Sequence, residues 1–327
     1  MINGKKAVFF FCRHENKDPV AHRVYAASER ILDLKKADCQ VDGTQVVVFE
    51  DECSNTYWYV QTDEVLSHDF RRYLPKLNEL FADADFAGLV NWHEGANAPD
   101  YILTVHTTGD VQSGYFGNTD PTYIRNLLLS LEKNRREQRL DGFKVTTEGT
   151  HWSGIPYGGA PQAICEYRVP LADIEIGSSP ASWANEIAVE ILAKSLPEIF
   201  RQTEDKVRSL LCVGGVHIEP TYSDAVLATR NDHALAISHI LSNQWLLVGG
   251  YDSPSGLDKL MACVESIWGG IHGIVFHDNL KGGLKSSLRI LGERLNVPVF
   301  KHQRLRRPDE LPFWGESLAD ISKQEKK

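Results

Sequence analysis

Short apolar runs recur along this chain, and half of its twelve histidines follow such a run in a turn-like segment. They are His93 in Asn91-Trp92-His93-Glu94-Gly95, His106 in Val105-His106-Thr107-Thr108-Gly109 and His151 in Glu148-Gly149-Thr150-His151. The others are His217 in Gly214-Gly215-Val216-His217, His239 in Ile237-Ser238-His239 and His277 in Val275-Phe276-His277-Asp278. Runs of this length alternating with helical patterns constrain the chain to an α/β architecture. In open α/β sheets, ligands bind in the crevice outside the carboxyl ends of the strands. If the runs share a sheet, several imidazoles converge there. Neutral imidazole is the commonest metal ligand and the usual general base near neutral pH. The pattern points to a hydrolytic or metal-assisted enzyme.

Helical spacing covers residues 21–36, 73–81, 122–139, 255–268 and 284–295, and a further segment from Ser179 to about Phe200. Ser179 is a good N-cap, and Pro180 suits the first helical position. In 122–139, Ile124, Leu127, Leu128 and Leu131 share one face. Strands are expected at 7–12, 46–50, 57–61, 86–91, 101–106, 143–148, 163–169, 173–176, 209–214, 273–277 and 297–300. Segments 223–228 and 238–241 are ambiguous. The fold expected is a central sheet flanked by helices, in two intimate lobes. One domain spans 1–307, and a polar, proline-containing tail with a frayed end spans 308–327.

The 327 residues are 42% hydrophobic and 24% charged, ordinary values for a soluble globular protein. No apolar stretch approaches the roughly 20 residues that span a bilayer, so no membrane partner is expected. Lys5 and Lys6 precede the apolar run 7–12, but no small-residue cleavage site follows, which favours a buried first strand over a signal peptide. The six cysteines form no Cys-x-x-Cys pair, and most lie in apolar runs, which suits a reduced, cytoplasmic setting. A net charge of −9 argues against a generic nucleic-acid coat, and no DNA partner is expected. Charge is uneven, however. Lys281, Lys285, Arg289, Arg294, Lys301, Arg304, Arg306 and Arg307 face a single acid, Glu293, between 281 and 307. Such a strip either contacts phosphates or is a solvated helix face followed by an exposed strand.

Glu148-x-x-His151, at a strand-to-loop transition, can hold a metal or orient a base. The same spacing also describes a surface histidine beside a strand end. In Gly214-Gly215-Val216-His217 a buried strand runs into two glycines, which permit close ligand approach and free backbone N–H groups for an oxyanion. The alternative is a tight turn with an incidental histidine, and the functional reading is the stronger. His93-Glu94 and His106-Thr107-Thr108-Gly109-Asp110 are each as compatible with a structural histidine as with a ligand; their joint occurrence favours a site. Glu175-Ile176-Gly177-Ser178-Ser179 leads into a helix start that can bind an anion or simply be capped. There is no Walker A loop, no Gly-x-Gly-x-x-Gly fingerprint and no Gly-x-Ser-x-Gly elbow, which disfavours nucleotide hydrolysis and serine-hydrolase chemistry.

In this order the blocks resemble the archaeal and plant type of D-aminoacyl-tRNA deacylase. Leu103-Thr104-Val105-His106-Thr107-Thr108-Gly109-Asp110 is similar to the family's Leu-Thr-Val-His-Pro-Thr-Gly-Asn. Val145-Thr146-Thr147-Glu148-Gly149-Thr150-His151-Trp152-Ser153-Gly154 is similar to Val-Thr-x-Glu-Ala-Thr-His-His-Gly-Pro. Asp173 to Ser179, Val213 to Pro220, Ser238-His239-Ile240 and Asn279-Leu280-Lys281-Gly282 also have counterparts. The likeness runs from about residue 7 to residue 300. The chain departs from the pattern at Trp152, where the family has a second histidine, and at Ile218-Glu219-Pro220. Residues 36–72, holding Trp58 and Tyr59, have no counterpart.

The resemblance implies a compact α/β unit of the phosphorylase and peptidyl-tRNA-hydrolase-like kind, and hydrolysis of the ester between a D-amino acid and the tRNA 3′ end, with zinc. It implies a translation quality-control role. The implied metal ligands are His93, His106, His151, His217 and His239, and the implied catalytic groups are Glu148, His151 and His217. Gly214 and Gly215 would serve the oxyanion. Lys281, Lys285, Arg304, Arg306 and Arg307 would contact the tRNA acceptor end. Trp152 is expected as an aromatic wall. Two other readings stay open: a diverged hydrolase of a small metabolite or modified aminoacyl group, and a non-catalytic protein that binds the tRNA end.

Overall fold

The computed structural model describes residues 4–95, 97–201, 206–228 and 233–314. Two sheets organise them. The larger has eight strands, in spatial order Lys35–Val41, Thr44–Glu50, Thr56–Thr62, Lys6–Cys12, Phe86–His93, Leu171–Ser178, Tyr101–Thr107 and Lys144–Thr147. Its four central strands run parallel, and Tyr101–Thr107 runs antiparallel to Leu171–Ser178. The smaller sheet is wholly parallel, ordered His233–Leu241, Lys206–Val213, Gly273–Phe276 and Val299–Lys301.

The expected architecture, a large sheet flanked by helices with two lobes, is the one observed. Continuous apolar strands are buried on both faces, and side-chain alternation divides them between cores. Phe9 and Phe11 pack in the core under the helices Ala21–Ile31, Pro121–Glu137 and Glu186–Ser195, whereas Val8 and Phe10 face the helix Phe70–Leu80. The first core also receives Leu210, Cys212, Leu235 and Val275 from the smaller sheet, so the two lobes share one interior. The other face of the smaller sheet packs on Pro254–Glu265 and Gly282–Leu295.

Several elements differ from expectation. The first helix ends at Ile31, and Lys35–Val41 forms an edge strand beside Thr44–Glu50. Residues 163–169 are not a strand, because Pro161 opens a 3-10 helix to Glu166. The helix beginning at Pro180 stops at Trp183, and Asn185 caps a second one, Glu186–Ser195. The ambiguous segments resolve as the helix Pro220–Leu227 and the strand His233–Leu241. Residues 308–314 do not behave as a tail: Pro308 and Leu311 are buried, and Phe313 and Trp314 pack on the first core. Apolar side chains at 308, 311, 313 and 314 outweigh the polar ones between them. The remainder of the expected tail, 315–327, lies outside the described residues. Among the described residues no helix is long and apolar enough to cross a membrane.

Candidate active site

Strand register brings the polar groups together. Asp173 pairs with His106 and Glu175 with Thr104, while Gly177 pairs with His93. Thr104 pairs with Thr146 on its other side, so Glu148, two residues on, follows on the same face. Asn91, His93, Thr104, His106, Glu148, Asp173 and Glu175 therefore form one polar patch on a sheet whose opposite face is apolar. All seven are buried.

Glu148 is the hub. Its Oε2 accepts from His217 Nε2 at 2.7 Å and lies 3.0 Å from His93 Nε2, while Oε1 accepts from the Thr104 hydroxyl at 2.9 Å. Burial alone would raise this carboxyl, but the bonds from His217 and His93 hold it well below the usual range. Burial pulls His93 down and Glu148 more than reverses that, leaving His93 raised. His93 Nδ1 lies 2.6 Å from the Ser178 hydroxyl.

The second half is anchored by His106. Its Nδ1 lies 3.1 Å from the Thr107 carbonyl, which only accepts, so Nδ1 carries a proton. That Nε2 faces Asp173 Oδ2 at 3.8 Å and Glu175 Oε1 at 3.6 Å. His106 Nε2, Asp173 Oδ2, Glu175 Oε2 and His217 Nδ1 are buried without hydrogen-bond partners among the described residues. Burial pushes Asp173 up to about 7, and burial with the neighbouring Glu148 pushes Glu175 well above its usual range. A ring nitrogen facing buried carboxyl oxygens requires a proton or a cation between them.

Among the described residues, two sets of donors lie within metal-binding reach: His93, Glu148 and His217, and His106, Glu148 and Glu175. Imidazole nitrogen with carboxylate oxygen is a donor set that zinc accepts. The residues present thus fit the metal expected from the sequence. His151 stands beside these sets. Its ring stacks on His106 at 3.9 Å, and its Nδ1 donates to the Gly149 carbonyl at 2.9 Å, leaving Nε2 as the lone-pair nitrogen. Burial, then the neighbouring His106, pushes it well below its usual range, so it is uncharged at neutral pH.

Above the patch opens a cavity of about 1050 Å³, walled in part by Glu175, His151, His217, Trp152 and Trp245. That volume suits a small-molecule group or the end of a larger one.

Other expected site residues go elsewhere. His239 is not a metal ligand: it lies between the sheets, with Nδ1 2.9 Å from the Thr107 hydroxyl and Nε2 2.9 Å from that of Ser266. Both nitrogens are occupied, and burial pushes the ring down to about 3. Gly214 does not serve an oxyanion, because its N–H donates to the Leu241 carbonyl at 2.8 Å. Gly214 and Gly215 instead have φ of 94° and 87°, a backbone that favours glycine, and the cavity wall begins after them at Val216. His277 stacks on His302 at 4.0 Å, near Glu219 and outside the patch. Lys281, Arg304, Arg306 and Arg307 are exposed, and Lys285 is half-buried with its ammonium on the Asp278 carbonyl. Trp152 does line the cavity but is 3% exposed, packed edge-on against Phe70 at 5.1 Å.

The sequence reading omitted Asp173, Asn91 and Thr104, and took Glu175 only as the lead-in to a helix. The signal was present: carboxylates at 173 and 175 alternate with apolar residues inside a strand, and buried acids are rare unless paired or metal-bound.

Fold and site define a mixed α/β protein with a buried histidine–carboxylate centre beneath an open cavity. A family model described as D-aminoacyl-tRNA deacylase matches residues 80–300, and the chain belongs to that family. A D-aminoacyl-tRNA deacylase of Pyrococcus furiosus is 32% identical over 42% of this chain and 47% of its own length. Those of Cenarchaeum symbiosum and Methanospirillum hungatei are 25% and 23% identical, over 43% and 71% of this chain and 52% and 48% of their own. The chain thus spans about half the length of these relatives. The crystal structure of a conserved protein of unknown function superposes with a TM-score of 0.72 at 17% identity, covering 94% of this chain and 98% of that one, a likeness of fold.

Proposed function

We propose that this protein hydrolyses the ester linking a D-amino acid to the 3′ end of tRNA, releasing both, as a cytoplasmic quality-control step. The observation that carries the reading is the Glu148 hub: a buried carboxylate held by two imidazoles, those of His217 and His93, which line an open cavity, in a chain of this family. His151 and Glu175 give it an acid–base pair. The uncharged His151 takes a proton from water at Nε2 as the water oxygen bonds to the acyl carbon. Glu175, which burial keeps protonated, donates to the ribose oxygen as the ester C–O bond breaks. Glu148 holds His217 and His93 in place. Zinc would be held by His93, Glu148 and His217, the set that leaves Glu175 free to act as the acid, and when bound would supply Lewis-acid polarisation and a lowered water pKa.

The exposed Arg304, Arg306 and Arg307 are the proposed contacts to acceptor-stem phosphates. They follow the last strand, and the 3-10 turn His302–Arg306 packs on the helix Pro220–Leu227, whose first residue lines the cavity. The test is deacylation of D-aminoacyl-tRNA beside its L-form. Glu148→Gln and His217→Ala should each lose at least a hundredfold in rate. Undiminished turnover in both variants would defeat the reading.

A further inference from the structure

One wall of the cavity comes from residues that precede the matched region 80–300. Val65, Ser67 and His68 reach it from the loop joining Thr56–Thr62 to Phe70–Leu80. Facing them is Tyr157. The His68 and Tyr157 rings lie parallel, with centroids 3.5 Å apart and an interplanar angle of 19°. Trp92 stands edge-on to His68 at 5.9 Å and 82°. Tyr157 remains 60% exposed although one face of its ring is covered, so its other face is bare.

The loops carrying this pair are wedged together. A Cβ at Gly154 would lie 2.2 Å from the Ser67 carbonyl oxygen, and the buried Trp152 braces Phe70 from beneath. Two departures from the family pattern, Trp152 and the segment 36–72, thus meet in one packing contact. Burial pushes His68 down to about 4, so the platform is uncharged at neutral pH.

We propose that His68 and Tyr157 form a stacking subsite for a flat, uncharged ring of the substrate: the terminal nucleobase of the tRNA or the aromatic side chain of the acyl group. Which of these the ring belongs to rests on the function proposed above; the platform itself does not. An aromatic face accepts any π-system, so stacking gives affinity without hydrogen-bond readout. Such a subsite would orient the ester over Glu148 from a wall that the acid–base groups do not occupy.

Calorimetric titration tests this without measuring turnover. Adenosine 5′-monophosphate is compared with ribose 5-phosphate, and D-tyrosinamide with D-alaninamide. At least one ring-bearing probe should bind tenfold or more tighter than its ringless partner. Tyr157→Ala and His68→Ala should each remove that preference, and Tyr157→Phe should keep it. Preference for the nucleotide identifies a base site, and preference for the tyrosine derivative an acyl site. Equal binding of ring-bearing and ringless probes, or an unchanged preference in both alanine variants, would overturn the proposal. A ring preference in a protein that leaves aminoacyl-tRNA intact would remove the proposed function and leave the subsite standing.

Discussion

At the scale of single residues, burial decides which polar groups can react and which only hold the fold. His239 is fully buried between hydroxyls of Thr107, Thr150 and Ser266. Removing it takes one bond from each hydroxyl, although Thr107 and Thr150 still bond each other and Ser266 still donates to the Cys263 carbonyl, and it leaves a void between the sheets. His239→Ala is expected to lower the unfolding free energy by about 1–3 kcal/mol in total while zinc stoichiometry stays unchanged; loss of zinc would restore His239 as a ligand. Asp18 offers a second prediction. It is 0% exposed; Oδ1 accepts from the Val20 and Ala21 N–H groups, Oδ2 has no hydrogen-bond partner among the described residues, and burial pushes it up to about 7. A carboxyl raised in the native state stabilises below its unfolded pKa and loses that contribution as pH rises through the native one. Between about pH 4 and pH 7, Asp18→Asn should therefore flatten the fall of stability with pH by about 1.4 kcal/mol per pH unit, read from denaturant midpoints. An unchanged slope would show that Asp18 is ionised in the native protein. The histidines at 93, 106, 151 and 217 were legible because each follows an apolar run. His239 was misread by the same rule: sequence spacing does not distinguish a strand end that opens to a cavity from one pressed between two sheets.

At the scale of elements, the strand Leu171–Ser178 carries the greatest burden, with Asp173 and Glu175 on its polar face and Ile174 and Ile176 in the core. Gly177 lies where a Cβ would come within 2.3 Å of His93 Cβ. Gly177→Ala should displace His93 from Glu148. We expect about 1–3 kcal/mol of overpacking cost and a tenfold or greater loss of deacylation, whereas a fully active variant would place His93 outside the mechanism. Alternating pattern and helix caps located most strands and helices. Misreadings fell where local chemistry was equivocal. Polar edge residues at 35–41 pair only because Thr44–Glu50 lies beside them. The mixed segment 163–169 yields to the fixed geometry of Pro161.

At the scale of the whole molecule, the site exists because two sheets share a core. Strands of the larger sheet carry Asp173, Glu175, His93 and His106, the segment after Lys144–Thr147 adds Glu148 and His151, and the segment after Lys206–Val213 of the smaller sheet sends His217 to complete the hub. No single segment announces that meeting, which is why motif order suggested the family while the Glu148-centred geometry had to be seen. The basic strip is also a property of the whole. Reversing Arg304, Arg306 and Arg307 to Glu should weaken tRNA binding and flatten its salt dependence by about two or more in log–log slope. It should leave unfolding midpoints little changed; an unaltered slope would place the acceptor stem elsewhere. The most direct test of the account is hydrolysis of D- and L-aminoacyl-tRNA by the zinc-loaded protein, the chelated protein and Glu148→Gln. The account predicts that the zinc-loaded protein cleaves the D-form and spares the L-form, and that chelation or Glu148→Gln stops it. An intact D-form under zinc, or full activity in Glu148→Gln, would contradict it.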